Sequence, residues 1–384
     1  MQTLHDAPRS SGAVEPALPL EEIETPAAVV DLDRLTRNLD RMAAYAAAHS
    51  LALRPHVKTH KSPRVAAEQI RRGAAGLTCA TPREAEVMSE VGNDLLVAYP
   101  VLGAPKLRRL MTLPERVRLT VALDSAEAIE QLAAAARYHD RPVRVYVELD
   151  LGMHRVGVSS AAEAAALAEL VSRREPLEYA GIAFYPGHIR ESVREQSAGL
   201  ARLTEGLGNA LAEMERAGFR PGVVSGGSTP TAWRTHEIAG ITEFRPGTYV
   251  YNDRTTAEIG ACEWEECALT VHATVVSTAV PGQAVIDAGT KALGREPLRG
   301  GVAGGGFGVL VDHPEVTVSG MSEEHGILDL SDSGWRPGVG ERVRVIPNHV
   351  CIVVHLNDVI YGERGGVVET SWPVAARGRT QPAE

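Results

Sequence analysis

Residues 118–150 read RLTVALDSAEAIEQLAAAARYHDRPVRVYVELD, and the pattern of apolar residues in this stretch indicates the fold class. Two apolar runs rich in β-branched residues, Arg118–Leu123 and Val143–Asp150, predict buried strands. Between them, the apolar residues of Ser125–Tyr138 recur at helical spacing. A strand, a helix and a second strand in this order are the repeating unit of folds built on a parallel sheet.

The same alternation extends from Ala27 to Tyr251. The strand-like runs are Ala27–Leu32, Leu53–Lys58, Gly76–Ala80, Leu95–Tyr99, Arg118–Leu123, Val143–Asp150, Tyr179–Tyr185 and Val223–Gly226. The helical stretches are Asp33–His49, Pro63–Arg72, Pro82–Val91, Ser125–Tyr138, Ala161–Arg173 and Glu191–Ala217. Eight strand-like runs that alternate with helical stretches within about 225 residues predict an α/β fold, a (β/α)8 TIM-type barrel. A Rossmann domain is disfavoured, because no GxGxxG pattern follows the first strand.

After Arg254 the pattern changes to short strands separated by Gly and Pro. These predicted strands are Leu269–Ser277, Gln283–Asp287, Glu315–Val318, Arg342–Ile346 and Val350–Leu356. They predict a C-terminal all-β domain. We therefore expect an N-terminal extension (1–24) that packs on the β domain or is disordered, a barrel (25–258) and a β-rich domain (259–384).

Composition excludes several classes of protein. The 384 residues carry a formal net charge of −10 without a local cluster of Lys and Arg, which argues against nucleic-acid binding. No apolar run reaches the roughly 18 to 20 residues of a membrane span. The first 24 residues contain five acidic residues and lack the apolar core of a secretory signal. Four widely spread cysteines favour a reducing, cytoplasmic location.

One candidate for catalysis closes the second predicted strand. The segment from Arg54 to Lys61 reads RPHVKTHK, which places Lys58 at the mouth of the barrel, where catalytic residues of this fold lie. A partly desolvated lysine there suits a Schiff-base nucleophile. The alternative is a lysine-rich turn on the surface, and this segment alone does not decide between the two.

Three other strand ends favour a site at the mouth. Residues 150–157 read DLGMHRVG and bring Arg155, residues 225–231 read SGGSTPT, and residues 245–249 read RPGTY and begin with Arg245. The glycines of the second motif expose backbone N–H groups, and its hydroxyls can contact a phosphate. A lysine, a phosphate-binding loop and two arginines together suit pyridoxal phosphate (PLP).

With these motifs, the chain resembles the fold-type III PLP enzymes, specifically the D-threonine aldolase / metal-dependent D-serine dehydratase group related to alanine racemase. The resemblance runs from Thr25 to about Tyr361. It implies that Lys58 forms the Schiff base with PLP, that His56 lies beside the cofactor, that Arg155 contacts the phenolate oxygen and that Arg245 faces the pyridine nitrogen. It implies a phosphate site formed by Gly227, Ser228, Thr229, Gly247 and Thr248, and it implies a homodimer.

The sequence departs from the family pattern in residues 181–188, GIAFYPGH. Tyr185 stands where relatives commonly have a histidine that stacks on the cofactor ring. An aromatic ring is retained here, so stacking on the cofactor is still expected. The acid/base role of that histidine would fall to Tyr185 or to His188.

A second candidate site is His349-Val350-Cys351. Residues two apart in a strand share a face, so the predicted strand would bring His349 and Cys351 together. Imidazole and thiolate favour zinc, and two protein ligands leave coordination positions open, as a catalytic metal requires. Taken alone, the pattern also fits a half-buried strand with an inert cysteine. The resemblance implies a divalent metal here, zinc with cysteine and manganese as the alternative.

The resulting functional prediction is a lyase that acts on a small β-hydroxy-D-amino acid. The preferred hypothesis is a D-serine dehydratase-like enzyme that forms a keto acid and ammonia. The alternative is retro-aldol cleavage to glycine and an aldehyde, as in D-threonine aldolase. An amino-acid racemase and a non-catalytic PLP carrier are further alternatives, disfavoured by the His-x-Cys pair and by the β domain respectively.

Overall fold

The computed structural model describes residues 18–298 and 305–378. Its strands are β1 (Leu18–Pro19), β2 (Ala27–Asp31), β3 (Ala52–Leu53), β4 (Leu77–Cys79), β5 (Asp94–Val97), β6 (Arg118–Leu123), β7 (Val143–Glu148), β8 (Leu177–Ala183), β9 (Val223–Gly226), β10 (Glu243–Phe244), β11 (Leu269–Ser277), β12 (Gln283–Ile286), β13 (Gly308–Leu310), β14 (Val318–Met321), β15 (Gly326–Asp329), β16 (Arg342–Pro347), β17 (Val359–Arg364) and β18 (Val367–Pro373). Its helices are α1 (Leu32–Ala48), α2 (Pro63–Arg71), α3 (Pro82–Met88), α4 (Ala104–Met111), α5 (Ala126–Tyr138), α6 (Ala161–Ser172), α7 (Ser197–Arg216), α8 (Arg254–Glu258), α9 (Thr290–Leu293) and α10 (Val350–Leu356).

Eight parallel strands form the barrel in the order β3-β10-β9-β8-β7-β6-β5-β4. The circle closes just beyond β3, where His56 bridges Thr78 and the backbone N–H of Thr78 donates to the carbonyl of Pro55 at 2.9 Å. Strands β6 and β7 are buried along almost their whole length, as expected for parallel strands covered by helices. The predicted (β/α)8 barrel is therefore confirmed.

The alanine-rich helix of the opening stretch shows how this sequence covers the barrel. In α5, the residues Ala128, Ile129, Leu132, Ala133 and Ala136 form one buried stripe with helical spacing. Their small side chains allow the helix to pack closely on the strands, in a chain with only 4% aromatic residues. The core therefore consists mainly of aliphatic and alanine side chains, as the composition indicates.

The second sheet has ten strands in the order β1-β18-β17-β2-β11-β12-β15-β14, with β16 between β11 and β13. The predicted C-terminal, mostly β region is thus confirmed. Of the predicted N-terminal extension, residues 1–17 lie outside the described residues. The rest begins with Leu18, which pairs with Val368 at the edge of this sheet.

Two predictions about individual elements are wrong. The run Ala27–Leu32 is a strand, but it pairs with β11 and β17 in the second sheet, and β10 takes the eighth place in the barrel. The run Val350–Leu356 is the helix α10 and not a strand, since a short apolar run of this kind fits either structure. Helix α4, at Ala104–Met111, was not predicted at all.

The fold places the two candidate sites next to each other. Helix α10 follows β16, and its first turn faces the mouth of the barrel, so that Thr59 Oγ1, one residue beyond Lys58, lies 3.2 Å from Cys351 Sγ. Within residues 18–298 and 305–378, no helix has the length and apolar character needed to cross a membrane.

Candidate active site

A cavity of about 420 Å³ lies at the carboxyl ends of the barrel strands. Its lining includes every residue predicted to bind the cofactor or the metal: His56, Lys58, Arg155, Tyr185, Gly227, Ser228, Thr229, Arg245, Gly247, Thr248, His349 and Cys351. Among the predicted residues that the structure describes, only His188 is not in this lining. It is exposed and packs beside Gly152. The structure also adds Glu148 to the lining, which the sequence patterns did not indicate.

Lys58 lies in the turn beyond β3 and faces an aromatic wall. Its Nζ is 5.9 Å from the centre of the Tyr185 ring, and the Arg155 guanidinium carbon is 4.8 Å from the same centre. Both cations thus contact the electron-rich ring of Tyr185. Tyr185 holds them at one side of the cavity.

His56 enters the cavity as a neutral imidazole. Burial and the nearby charge of Lys58 lower the pKa of His56 well below its ordinary value. Its Nδ1 accepts a hydrogen bond from the backbone N–H of Lys58 at 3.4 Å, so the proton of the neutral ring is on Nε2. His56 is therefore a hydrogen-bond donor to whatever occupies the cavity.

The loop after β9 presents backbone N–H groups. Gly227 adopts φ +82°, which favours glycine, and the N–H groups of Gly227, Ser228 and Thr229 have no acceptor within the described part of the chain. The hydroxyl of Thr229 accepts the N–H of Gly247 at 3.1 Å, which joins this loop to the segment after β10. The result is a concave anion-binding surface.

A network of buried hydrogen bonds beneath the cavity holds Arg245. Its two Nη atoms donate to Ser225 Oγ at 2.5 Å and to the carbonyl of Phe184 at 2.9 Å. Ser225 in turn donates to Glu243, whose other carboxylate oxygen accepts from Arg54 Nε at 2.6 Å. Burial lowers the pKa of Arg245, while nearby carboxylates favour its charged form. The guanidinium is thus fixed in position and oriented before any ligand arrives.

Glu148 lies at the end of β7 with one unsatisfied oxygen. Its side chain is 5% exposed, and Oε2 has no hydrogen-bond partner within the described residues. Burial raises the pKa of Glu148, although Arg245 and Arg155 nearby favour the ionised form. An orphaned buried oxygen in a cavity is a site where a ligand donor would fit.

His349 and Cys351 converge as expected, but on a helix rather than a strand. His349 is the residue before the first turn of α10, and Cys351 lies within that turn, where the two side chains interact. Burial would raise the pKa of the Cys351 thiol, but His349 and Lys58 lower it to about 7. A thiolate is therefore accessible near neutral pH, as metal binding requires.

Asp253 orients His349, and no sequence pattern indicated it. Its Oδ2 accepts from His349 Nδ1 at 3.0 Å and from the backbone N–H of Val350 at 3.2 Å, and its side chain is only 1% exposed. Burial alone would lower the pKa of His349, but Cys351 and Asp253 raise it well above its ordinary value. With Nδ1 held by Asp253, Nε2 is the nitrogen that would exchange its proton for a metal. Among the described residues, no group of three or more His, Cys, Asp or Glu side chains is arranged to hold a metal.

The cavity fits PLP and a divalent metal on structural grounds. A Cβ at Gly247 would lie 2.9 Å from Thr59 Oγ1 and 3.1 Å from the carbonyl of His56, so this wall accepts no side chain. The N–H groups of the loop after β9 suit a phosphate, and Lys58 suits an aldehyde. Imidazole with thiolate is a donor set for zinc.

Comparison with known proteins agrees with this geometry. The family model "Alanine racemase, N-terminal domain" matches residues 30–255, and "Putative serine dehydratase domain" matches residues 268–362. D-threonine aldolase of Arthrobacter sp. is 32% identical over 372 residues, 95% of each chain. D-threo-3-hydroxyaspartate dehydratase of Delftia sp. strain HT23 is 36% identical over 352 residues, 86% of this chain and 91% of the relative.

The fold of a solved relative covers both regions of the molecule. The crystal structure of D-threonine aldolase from Filomicrobium marinum superimposes with a TM-score of 0.87 and 32% identity, over 94% of this chain and 98% of the other. The match therefore includes the barrel and the C-terminal sheet together. The chain belongs to the alanine racemase-like family of PLP-dependent lyases that contains the D-threonine aldolases and the D-serine dehydratases.

Proposed function

We propose that this lyase removes water from a β-hydroxy-D-amino acid, in the manner of D-serine dehydratase, and releases a keto acid and ammonia. One observation carries the proposal: a single cavity is lined by the amine of Lys58 and by the His349–Cys351 pair. The first suits proton transfer at the α-carbon, and the second suits a metal that activates the β-hydroxyl.

The chain's residues would hold the cofactor at four points. Lys58 would bind its aldehyde carbon, and the loop of Gly227–Thr229 with Gly247 and Thr248 would bind its phosphate. Arg155 would contact the phenolate oxygen, and Arg245 the ring nitrogen. When bound, PLP supplies an electron sink for negative charge at the α-carbon. Arg245 cannot accept a proton, so it would keep the ring nitrogen unprotonated.

We assign the removal of the α-proton to Lys58. It is half-buried and lies beside the Tyr185 ring, whose face would stack on the cofactor. His56, neutral with its proton on Nε2, would donate a hydrogen bond and would not compete for the α-proton. We assign no proton transfer to His188, because it lies outside the cavity lining.

His349 and Cys351 would bind the divalent metal, with Asp253 fixing the imidazole. Zinc suits an imidazole and a thiolate better than manganese does, because thiolate is a soft ligand. A metal at this pair would supply Lewis-acid polarisation of the β-hydroxyl. The homodimer and the cytoplasmic location stay predictions.

Retro-aldol cleavage to glycine and an aldehyde is the second candidate. It is favoured by the 32% identity to D-threonine aldolase of Arthrobacter sp. over 95% of both chains. The same cavity would serve it if a base removed the proton of the β-hydroxyl instead of the α-proton.

Product analysis of the purified enzyme with D-serine and D-threonine separates these reactions. Formation of a keto acid and ammonia supports the dehydratase, and formation of glycine and an aldehyde supports the aldolase. If neither pair of products forms, both proposed reactions are refuted. Replacement of Lys58 by Ala should abolish an absorbance band at roughly 410–420 nm, which is expected of a lysine Schiff base. Turnover that survives complete chelation of metal would contradict the assignment of His349 and Cys351.

A further inference from the structure

The segment that follows β18, residues 374–377, leaves the second sheet and packs against the barrel, and we call it the strap. Ala376 of the strap is fully buried and belongs to the same apolar cluster as Val57 and Ala66. Val57 directly precedes Lys58, and Ala66 lies in α2, the helix that follows the turn of Lys58. The strap is thus built into the same core as the turn that carries the proposed cofactor lysine.

The strap supplies the hydrogen-bond donor for a buried carbonyl of this turn. The backbone N–H of Ala376 donates to the carbonyl of Lys61 at 3.0 Å, and Lys61 is only 8% exposed. Lys61 adopts φ +50°, a left-handed conformation that residues other than glycine hold only where their surroundings fix it. Within residues 18–298 and 305–378, no other backbone N–H donates to this carbonyl. Loss of the strap would therefore leave a buried acceptor unpaired at a strained position.

The strap is itself anchored to both regions of the molecule. The N–H of Val374 donates to the carbonyl of Asp358, the residue before β17, at 2.8 Å, and Asp358 also forms an ion pair with Arg377. On the barrel side, Arg83 Nη2, from α3, donates to the carbonyl of Ala375 at 3.1 Å. A turn closed by the N–H of Arg377 and the carbonyl of Val374 at 2.9 Å joins the two anchors. The donor that the strap offers is therefore held in place from both sides.

A single tight turn connects Lys61 to Lys58. The N–H groups of His60 and Lys61 both donate to the carbonyl of Val57, at 3.2 Å and 2.8 Å. The side chain of Lys61 forms a buried ion pair with Glu84, which fixes the far end of the turn. Lys58 thus lies between two residues that are hydrogen-bonded to each other, so a displacement of Lys61 would be passed on to Lys58.

We propose that the strap positions the Lys58 amine for the aldehyde of PLP, with Ala376 as a positioning residue that acts through Lys61. The inference rests on the proposed function, which assigns Lys58 to the cofactor. Ala376 itself does not line the cavity. A misplacement of about 1 Å at a reacting group can cost about 100-fold in rate, so a small shift of the turn is enough to impair capture of the aldehyde. The second sheet would in this way control cofactor binding at the barrel mouth.

The test compares the PLP affinity of two proline variants of the full chain with that of the unmodified protein, by titration of the absorbance band at roughly 410–420 nm. Ala376→Pro removes the N–H that donates to Lys61. Ala375→Pro is the matched control, because its N–H has no backbone acceptor among the described residues and its place as second residue of the turn favours proline. We expect PLP binding to weaken about 10- to 100-fold in Ala376→Pro and to stay within about twofold in the control.

A measurement of stability separates positioning from folding. Circular dichroism gives the melting temperature of each variant without PLP, and the titrations are made at a temperature at which all of them are folded. A strap that only stabilised the fold would lower the melting temperature of Ala376→Pro and leave its PLP dissociation constant unchanged, and this result would overturn the proposal. If Ala376→Pro does not fold, Arg83→Gln, which removes the bond to the Ala375 carbonyl, takes its place. We then expect PLP binding to weaken about threefold or more, and unchanged affinity would overturn the proposal.

Borohydride reduction of the unmodified enzyme loaded with PLP, followed by peptide mass mapping, distinguishes a failure of the strap from a failure of the proposed function. An adduct on a lysine other than Lys58 would contradict both. An adduct on Lys58 together with equal PLP affinity in Ala376→Pro would contradict the strap alone. If PLP binding at Lys58 depends on Ala376 but the enzyme forms neither pair of products, the proposed function fails and the strap stands.

Discussion

Replacement of Asp253 by Asn tests how the chain prepares His349 for a metal. One oxygen of the Asp253 carboxylate accepts from the backbone N–H of Thr256 at 2.9 Å and from its hydroxyl at 3.0 Å. The other accepts from His349 Nδ1 at 3.0 Å and from the N–H of Val350 at 3.2 Å. Both oxygens act as acceptors, so an amide, which has only one oxygen, cannot satisfy both sets of donors.

The effect on His349 follows from the two orientations of the amide in Asp253→Asn. If the oxygen of the amide keeps the bonds to Thr256, its NH2 group faces His349 Nδ1. Nδ1 must then accept a hydrogen bond, so a neutral imidazole would keep its proton on Nε2, the atom needed for metal binding. If the amide turns over, helix α8 loses its N-terminal cap, which costs about 1 kcal/mol. Loss of such an orienting carboxylate typically weakens metal binding about 10- to 100-fold, or about 1.4 to 2.7 kcal/mol.

The measurement is a zinc titration of the purified protein against a chromophoric chelator, which needs no enzyme activity. Thr256→Val is the control: it removes the hydroxyl on the capping side and leaves the bond from Asp253 to His349 intact. We expect this control to lower stability and to keep zinc affinity. A zinc dissociation constant for Asp253→Asn within twofold of the unmodified protein would refute the orienting role.

Two other substitutions test the cavity wall and the network of buried hydrogen bonds beneath the cavity. Gly247→Ala places a methyl 2.9 Å from Thr59 Oγ1, so we expect a loss of about 1 to 3 kcal/mol in stability together with weaker PLP retention. The control Gly208→Ala, on an exposed face of α7 with nothing within 4 Å, should not destabilise the protein, and equal melting temperatures for the two variants would contradict the steric argument. Arg54→Met leaves Glu243 and Asp94 without the cation that they share, so we expect the free energy of unfolding in urea to fall by about 3 to 5 kcal/mol. A fall below about 1 kcal/mol would show that these buried ion pairs are not essential for stability.

The barrel could be predicted because its signal is local. In β6, α5 and β7, the spacing of apolar residues is set by which face of each element is buried, and that spacing is visible in the sequence. The sheet to which a strand belongs is not visible in this way. Residues Ala27–Asp31 have the composition of a barrel strand, and only their pairing with residues more than 200 positions away shows that they join the second sheet.

The metal pair was predicted with the right residues and the wrong local structure. Val350–Leu356 is apolar and rich in β-branched residues, which favours a strand, but the segment is short and buried and forms a helix after Pro347. His349 and Cys351 still converge, because the first turn of α10 brings the thiol back toward the residue that precedes it. The prediction therefore depended on the chemistry of the two side chains more than on the geometry assumed for them.

Asp253 and Glu148 could not be found from the sequence, because the importance of each depends on residues that only folding brings close to it. Asp253 lies 96 positions from His349, and its role depends on a single hydrogen bond. Glu148 is distinguished by an unsatisfied oxygen, which is a property of its surroundings. A search for motifs detects groups that are close in sequence, whereas these two residues are brought to the site by folding alone.

The contacts between the two candidate sites suggest why both regions are needed together. Thr59 follows Lys58 directly and contacts Cys351 at 3.2 Å, while Asp253, in the segment that follows β10, holds His349. Both proposed metal ligands are thus positioned by residues of the region that would hold the cofactor. A shift of the turn that carries Lys58 would move a contact of Cys351 at the same time. The distance between the amine and the metal pair is therefore set by direct packing between the two regions, which is what a reaction at two adjacent carbon atoms requires.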